Sequence, residues 1–227
     1  ASELTVDPTR PIGPANPLIL GNNLQWVDRG DEMFRRDRKG FVDEMVQRSI
    51  AMGVPILRYP GGSQSDVYHW RDGMGEQQRR GENEHFYSGR KQPVEVGTQE
   101  FLELCEAWGA QPLITVNAGS GTAEEAAEWV RLVNVTGLRS RVSGKPLPRV
   151  QYWEIGNEPY LKDEKQKKLW TTPQAYAHKA DQFIEAMRKV DPRIEIAIPL
   201  RSDRIGGLPA TPLPGFNETV LQAIKGR

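Results

Sequence analysis

An amide and a carboxylate stand side by side at the end of an apolar segment, in the sequence WEIGNEP at 153–159. Asn157 and Glu158 follow a predicted buried strand at 150–155, and Pro159 is expected to hold Glu158 extended. A carboxyl group at such a position can protonate a leaving oxygen, and hydrolysis of a glycosidic bond typically uses two carboxyl groups. A general acid must keep its proton near neutral pH, which burial or a nearby negative charge favours. The segment therefore predicts an acid/base at Glu158, with the alternative that Glu158 only caps the next loop.

Further polar side chains follow other predicted strands. Arg58 opens a Pro-Gly-Gly turn, Gln25 follows the first strand and Asn117 ends the strand at 112–117. Arg58 could instead be a surface arginine, and the Asn117 amide could instead cap the next helix. Trp70 is expected at the mouth of the site, where its ring would stack on sugar or, alternatively, pack at the rim. The shared position at strand ends predicts one cluster of polar groups.

The elements that must position these residues alternate along the chain. Strands are predicted at 18–24, 55–59, 112–117, 150–155 and 194–200, with helices between them, which indicates an α/β fold with a parallel sheet. An open doubly wound sheet and a (β/α)8 TIM barrel both fit this order. In a barrel the carboxyl ends of all strands lie on one face, which accounts for the polar cluster.

The barrel interpretation leaves strands unaccounted for. This chain supplies about the first five β/α units, so residues 1–227 are expected to be the N-terminal portion of a single catalytic barrel. A last helix begins near Phe216, and we expect a complementary C-terminal segment or a second chain to complete the barrel, with an open half-barrel as the alternative. The polar stretch at 63–97 is predicted to be a long insertion loop on the active-site side.

Composition excludes several classes of protein. The 30 basic and 30 acidic residues of this 227-residue chain balance, so no electrostatic footprint for nucleic acid or an anionic membrane is expected. No apolar run is long enough for a membrane span. Cys105 is the only cysteine and the three histidines lack ligand spacing, so neither a metal nor a cofactor is expected. The compartment stays open: secreted or periplasmic if a signal segment was removed, otherwise cytoplasmic.

Several motifs together carry a resemblance to a known family. The stretch at 152–159 resembles the fourth strand of the clan A glycoside hydrolases, which are retaining barrel enzymes. The segments LRYPGG at 57–62, YHWRDGMG at 68–75 and TVNAGSGT at 115–122 resemble family 51, the α-L-arabinofuranosidases. The resemblance covers most of 18–160 in order.

The resemblance implies roles for individual residues. Glu158 would be the acid/base and Asn157 the partner of the sugar 2-hydroxyl. Arg58 would lie under the nucleophile and keep it ionised through a charge-assisted hydrogen bond. Asn117 would line the floor of the site. The nucleophile itself is expected from a glutamate on the seventh strand, outside this chain.

The chain departs from the family at three positions. The family usually has a glutamate near Gln25 and asparagines near Ser63 and Val94. The first two positions lie near the bound furanose in the family, so Gln25 and Ser63 are predicted to contact substrate. Their changed side chains bear on which sugar is bound rather than on the type of reaction.

The favoured hypothesis is a retaining glycoside hydrolase that acts on a polysaccharide or oligosaccharide. One rival is a non-catalytic carbohydrate-binding or scaffold half-barrel. The other is an open-sheet nucleotide binder, for which the two glycines at 61–62 are the only candidate phosphate loop, since no Gly-x-Gly-x-x-Gly segment follows the first strand.

Overall fold

The computed structural model describes residues 7–11, 13–35, 40–161, 172–201 and 215–226. The strands are β1 (Asn22–Asn23), β2 (Ile56–Tyr59), β3 (Glu82–Glu84), β4 (Lys91–Pro93), β5 (Gln111–Val116), β6 (Tyr152–Ile155) and β7 (Glu195–Ala197). The helices are α1 (Asp43–Ala51), α2 (Thr98–Trp108), α3 (Ala123–Val130), α4 (Pro173–Val190) and α5 (Phe216–Ala223). The π-helical turn Arg131–Thr136 extends α3.

Five of the strands form one parallel sheet. Their order in space is β1-β2-β5-β6-β7, the same as their order along the chain. A doubly wound sheet reverses its strand order at a switch point, and the described strands contain no such reversal. The topology therefore favours consecutive β/α units of a barrel. β3 and β4 pair separately as an antiparallel hairpin.

The two faces of this sheet differ because side chains alternate along each strand. The face that packs against the helices, called the outer face below, carries fully or almost fully buried apolar side chains: Leu57, Tyr59, Ile114, Val116, Trp153 and Ile155. The opposite face, called the inner face, carries Arg58, Thr115 and Glu154. The pattern places the stabilising core and the polar cluster on opposite sides of the same strands.

Aromatic contacts join the outer face to the helices. The Tyr59 ring stacks on Phe101 of α2 with centroids 4.7 Å apart. Trp153 meets Trp129 of the α3 helix edge to face at 5.9 Å. The Tyr176 hydroxyl of α4 donates to a backbone carbonyl of β6 at 2.7 Å. Large buried aromatics dominate core energetics, so these pairs fix the strands relative to the helices.

The prediction of a first strand at 18–24 is mostly wrong. Pro17–Leu20 forms a 3-10 helix, and only Asn22–Asn23 pairs with β2. The reason is local: Asn16 caps the turn by accepting the Leu18 N–H at 3.0 Å, and a proline opens it. Ile19 is 75% exposed, so no packing opposes this turn.

The segment 63–97 is folded and packed rather than an open loop. It contains three 3-10 turns and the β3–β4 hairpin. Arg80 buries its side chain completely and donates to Glu100 of α2 at 2.8 Å. Gly97 approaches the backbone of Gly73 so closely that any side chain on Gly97 would clash. The segment is therefore fastened to α2 at one end.

None of the helices in the described ranges is long and apolar enough to cross a membrane.

Candidate active site

Four predicted site residues meet at the carboxyl ends of β2 and β6. The Arg58 Nη2 donates to Asn157 Oδ1 at 3.1 Å. The Asn157 Nδ2 lies 3.5 Å from Ser63 Oγ and 3.5 Å from Glu158 Oε2. Asn157 is 6% exposed, whereas Glu158 and Ser63 are half-buried. The Asn157 amide is thus bound by the Arg58 guanidinium and lies next to the half-buried carboxylate of Glu158.

The backbone of the loop after β6 is unusual. Glu158 has φ 43° and Gly156 has φ 68°. Left-handed backbone in a residue other than glycine costs on the order of 1–3 kcal/mol and persists where surrounding contacts impose it. The prediction that Pro159 holds Glu158 extended is therefore wrong. A turn hydrogen bond from Leu161 N–H to the Glu158 carbonyl, 3.0 Å, accompanies this conformation.

Glu154 of the inner face is a site residue that the sequence analysis missed. Its Oε2 accepts from Arg58 Nε and from Thr115 Oγ1, both at 2.6 Å. Arg58 Nη1 also donates to Asn23 Oδ1 at 3.0 Å and to the Gly61 carbonyl at 3.2 Å. With these partners, Arg58 is not the surface arginine of the alternative interpretation. The available signal was a single carboxylate at an inward position of an otherwise apolar strand.

Asp66 is a second carboxyl group that sequence reasoning missed. It is fully buried, and its Oδ1 accepts the backbone N–H of Asn157 at 3.3 Å. Burial raises the pKa of Asp66 well above its usual range; the Asn157 N–H, Arg58 and Lys179 oppose that shift, and Glu154 adds to it. Among the described residues, Oδ2 has no hydrogen-bond partner. A carboxyl group therefore lies directly beneath the amide of the site.

Asn117 is used in local structure. Its Nδ2 donates to the Tyr68 carbonyl at 3.2 Å and to Ser120 Oγ at 3.0 Å, and its Oδ1 accepts the Ser120 N–H at 2.9 Å. That Asn117 lines the floor of the site stays a prediction. The alternative, in which Asn117 caps the next helix, is wrong, because Thr122 is the N-cap of α3 and accepts the Glu125 N–H at 3.1 Å.

Trp70 is part of the core. Its ring is 8% exposed and stacks on Trp129 at 6.1 Å with 15° between the planes. Its Nε1 donates to the Glu125 carbonyl at 3.0 Å. The prediction that Trp70 stacks on sugar is therefore wrong, because too little of the ring is free to accept one.

Gln25 lies beside the turn after β2. Its backbone N–H and its Nε2 donate to the two carboxylate oxygens of Asp31 at 2.8 and 3.0 Å. Gly61 has φ 122°, and a Cβ there would lie 3.0 Å from Gln25 Cγ. Glycine is thus required for the close approach of the loops after β1 and β2. Gln25 is half-buried, and its side chain is oriented by Asp31.

An ion pair lies outside this cluster. His69 Nδ1 is 3.0 Å from Glu125 Oε1, and the hydrogen bond to Glu125 raises the pKa of His69.

Cys105 is buried, and burial raises the pKa of its thiol, as expected for an inert core cysteine. Within the described ranges, no group of three or more His, Cys, Asp or Glu side chains is placed to hold a metal ion.

Comparison with known proteins identifies the family to which the chain is similar. Residues 50–205 match the family model described as the alpha-L-arabinofuranosidase 1 domain. A probable alpha-L-arabinofuranosidase C from Aspergillus terreus is 32% identical over 214 residues, which are 87% of this chain and 41% of that protein. An intracellular exo-alpha-L-arabinofuranosidase from Bacteroides ovatus is 35% identical over 142 residues, 60% of this chain and 27% of that protein. The chain thus spans about two fifths of the length of the first of these relatives.

Solved structures give the same result for the fold. The family 51 α-L-arabinofuranosidase of Thermotoga petrophila superposes with a TM-score of 0.75 at 30% identity, over 96% of this chain and 45% of that one. The α-L-arabinofuranosidase of Thermotoga maritima, solved with arabinose, has a TM-score of 0.73 at 30% identity, over 89% of this chain and 42% of that one. The prediction that the chain forms part of a (β/α)8 barrel is confirmed, and so is the resemblance drawn from its motifs.

Proposed function

The chain belongs to the alpha-L-arabinofuranosidase 1 domain family, and from that premise we propose that the protein containing it is a retaining glycoside hydrolase that releases arabinofuranosyl units from oligosaccharide or polysaccharide. The observation that carries the proposal is the cluster at the strand ends, where Asn157 lies between the Arg58 guanidinium and the Glu158 carboxylate. The activity is proposed for the whole protein and not for this chain alone, which covers 41% of the length of the Aspergillus terreus relative.

Glu158 is the proposed acid/base. In the first step it gives its proton to the glycosidic oxygen while a carboxylate nucleophile attacks the anomeric carbon, which forms a covalent glycosyl-enzyme and releases the alcohol. In the second step Glu158 takes a proton from water, the water oxygen bonds to the anomeric carbon, and the nucleophile is released. Retaining chemistry places the two carboxyl groups about 5–5.5 Å apart. The nucleophile is proposed to come from outside this chain.

Asn157 is proposed to bind the sugar 2-hydroxyl. Its Oδ1 is occupied by Arg58, so Nδ2 is the group directed at substrate. The present contacts of Nδ2 are both long, 3.5 Å, and a sugar oxygen can replace them at little cost. Contacts to this hydroxyl strengthen in the transition state, which makes Asn157 a contributor to rate as well as binding. Ser63 and Gln25 are proposed to contact the same sugar from the loops after β2 and β1.

Arg58 is proposed to lie under the nucleophile. Glu154 binds its Nε edge, Nη1 is directed to Asn23 and Gly61, and Nη2 reaches Asn157. A guanidinium fixed in this way provides positive charge beneath the reacting carboxylates without reorganising during the reaction.

The barrel is proposed to be completed by further polypeptide, either a C-terminal segment or a second chain. The intact mass of the native protein distinguishes the two. A mass well above that of this chain supports a longer polypeptide, and a co-purifying second chain supports assembly. If the native protein is only this chain and has no partner, the non-catalytic half-barrel becomes the better explanation.

The test of the function uses the full-length protein and the substitution Glu158→Gln. With poor leaving groups, hydrolysis of arabinofuranosides is expected to fall by about 10³-fold, the typical weight of acid/base catalysis. Activated aryl arabinofuranosides need little protonation and should lose less. Glu195→Gln is the matched control, since Glu195 is exposed on β7, and it should leave both rates unchanged. Equal, mild losses for both substrates would contradict the assignment, and binding without hydrolysis by the wild-type protein would favour a carbohydrate-binding role.

A further inference from the structure

Asp66 lies where three loops of the candidate site meet. It belongs to the turn after β2. Its backbone carbonyl accepts from the Ser120 N–H at 3.0 Å and from Ser120 Oγ at 3.2 Å, which ties in the loop after β5. Its side-chain Oδ1 accepts from the Asn157 N–H at 3.3 Å, which ties in the loop after β6. One buried residue therefore links the loops that follow three neighbouring strands.

The surroundings of Asp66 are themselves fixed. Ser65 donates to the Gly62 carbonyl through its N–H at 2.9 Å and through its Oγ at 2.8 Å, which holds the turn that carries Asp66. Lys179 of α4 donates to the Gly119 carbonyl at 2.9 Å and anchors the loop after β5 to that helix. Asp66 is thus a rigid point from which another loop can be positioned.

The loop after β6 requires such a fixed point because its backbone is strained at Glu158. Asn157, the preceding residue, is held twice: Asp66 holds its backbone N–H, and Arg58 holds its side-chain oxygen. Releasing the backbone would let the turn relax toward an extended form, and the Glu158 carboxylate would move away from the Asn157 amide.

We propose that Asp66 is a positioning residue of this site, whose side chain holds the Asn157–Glu158 turn in the conformation that presents the acid/base to substrate. The kinetic part of this inference rests on the proposed function. The structural part, that Asp66 holds the turn, does not.

The charge environment of Asp66 supports this role. Arg58 and Lys179 face it as cations and Glu154 as an anion, and its burial is complete. A buried carboxyl group with one oxygen on a backbone N–H is costly to remove, since the N–H is then left without a partner. Asparagine has the same shape and keeps an acceptor oxygen for Asn157, so Asp66→Asn is the conservative variant.

The structural test is hydrogen–deuterium exchange of peptides across 153–161, measured by mass spectrometry on the full-length protein. Asp66→Leu removes the acceptor while keeping a side chain branched at the same carbon and should increase exchange in these peptides, whereas Asp66→Asn should stay close to wild type. If the leucine variant does not fold, Asp66→Ala takes its place, because it removes the acceptor without added bulk. Unchanged exchange in the variant without an acceptor overturns the proposal.

The kinetic test separates positioning from general stability. Asp66→Leu should lower kcat on poor leaving groups by about 10²-fold, the scale of a misplaced catalytic group, with a smaller loss on activated substrates. Asp66→Asn should recover most of that loss. Asp191→Asn is the control, because Asp191 is a buried carboxylate bound to Asn134 and Arg193 outside the site, and it should change stability but not the leaving-group dependence. The same dependence in wild type and Asp66→Leu overturns the proposal. If the wild-type protein cleaves no arabinofuranoside, the proposed function fails while the exchange experiment still decides the role of Asp66.

Discussion

The outer and inner faces of the parallel sheet use neighbouring residues of the same strands for different purposes. Tyr59 and Trp153 point to the helices and are fully buried among aromatic rings. Arg58 and Glu154, each adjacent to one of them in sequence, point the other way and form an ion pair at 2.6 Å with side chains 23% and 17% exposed. Residues that build the core thus alternate with residues of the proposed active site along each strand, so substitutions one position apart should have separable effects on stability and activity.

The largest effect on stability is expected from the outer face. Trp153→Ala removes a ring that packs on Trp129 and an indole N–H that donates to the Val150 carbonyl at 2.9 Å. The unfolding free energy should fall by about 3–5 kcal/mol, as for other buried aromatics cut to alanine. Urea denaturation measures it. A variant that folds should keep the wild-type dependence on leaving group, and a loss below about 1 kcal/mol would contradict the separation of the two faces.

A smaller effect on stability, joined to an effect on activity, is expected from the inner face. Glu154→Gln keeps the volume but removes the charge that holds Arg58, at a cost of about 2 kcal/mol in unfolding free energy. Activity should fall by about tenfold beyond any loss of folded protein, because Arg58 is no longer fixed beneath the site. Denaturation and steady-state kinetics on the same preparation measure both, with Glu195→Gln as control. If Glu154→Gln lost no more activity than Trp153→Ala, the division of roles between the inner and outer faces would be contradicted.

The smallest effect is expected from the pair of His69 and Glu125, which lies outside both faces. The Glu125 hydrogen bond, with a smaller contribution from Asp72, raises the pKa of His69, and its partial burial and Arg71 oppose the shift. A raised pKa means that the folded protein holds the proton more tightly. The stability that this pair contributes is fully present below the pKa of histidine in the unfolded chain, about 6.5. It is lost as the pH rises through the pKa of His69 in the folded protein.

The variant His69→Gln should therefore be less stable than wild type by a few tenths of a kcal/mol at pH 5, the scale of ion pairs with solvent access, and the difference should vanish at alkaline pH. Unfolding midpoints across that pH range give the sign. A difference that grows with pH would show that the pair acts in another way. Among the hydrogen bonds of the described residues, none joins His69 directly to Arg58, Asn157 or Glu158. Its nearest link to the site is the 3.5 Å contact of Nε2 with Ser120 Oγ, so the leaving-group dependence should change little.

Elements governed by local patterns were predictable from sequence. The helix α4 begins after Thr172, whose Oγ1 accepts the Ala175 N–H at 3.1 Å, and ends before Asp191, as the Thr-Pro and Asp-Pro pairs indicate. The strand before Gly156 and the meeting of Arg58 with Asn157 follow from strand periodicity and the barrel rule that strand ends share a face.

Features set by distant contacts were not predictable in this way. The residue before Glu158 is held by one hydrogen bond that reaches across 91 positions, from the Asn157 N–H to Asp66, and the proline rule applied to Glu158 alone gives the wrong answer. Trp70 is buried by Trp129 of α3, and nothing in its own segment indicates that. Asp66 itself lies in a polar stretch without periodicity, so no pattern distinguishes it from a surface residue.

The left-handed backbone of Glu158 costs stability at the residue that is the proposed acid/base. Glycine adopts φ near 43° without steric cost, so Glu158→Gly is expected to relieve strain in the loop after β6 while removing the proposed acid/base. Selection for a robust fold alone would favour glycine at this position, and selection for turnover favours the carboxylate. A laboratory evolution experiment that rewards only thermal tolerance should therefore discard Glu158 while leaving Trp153 unchanged.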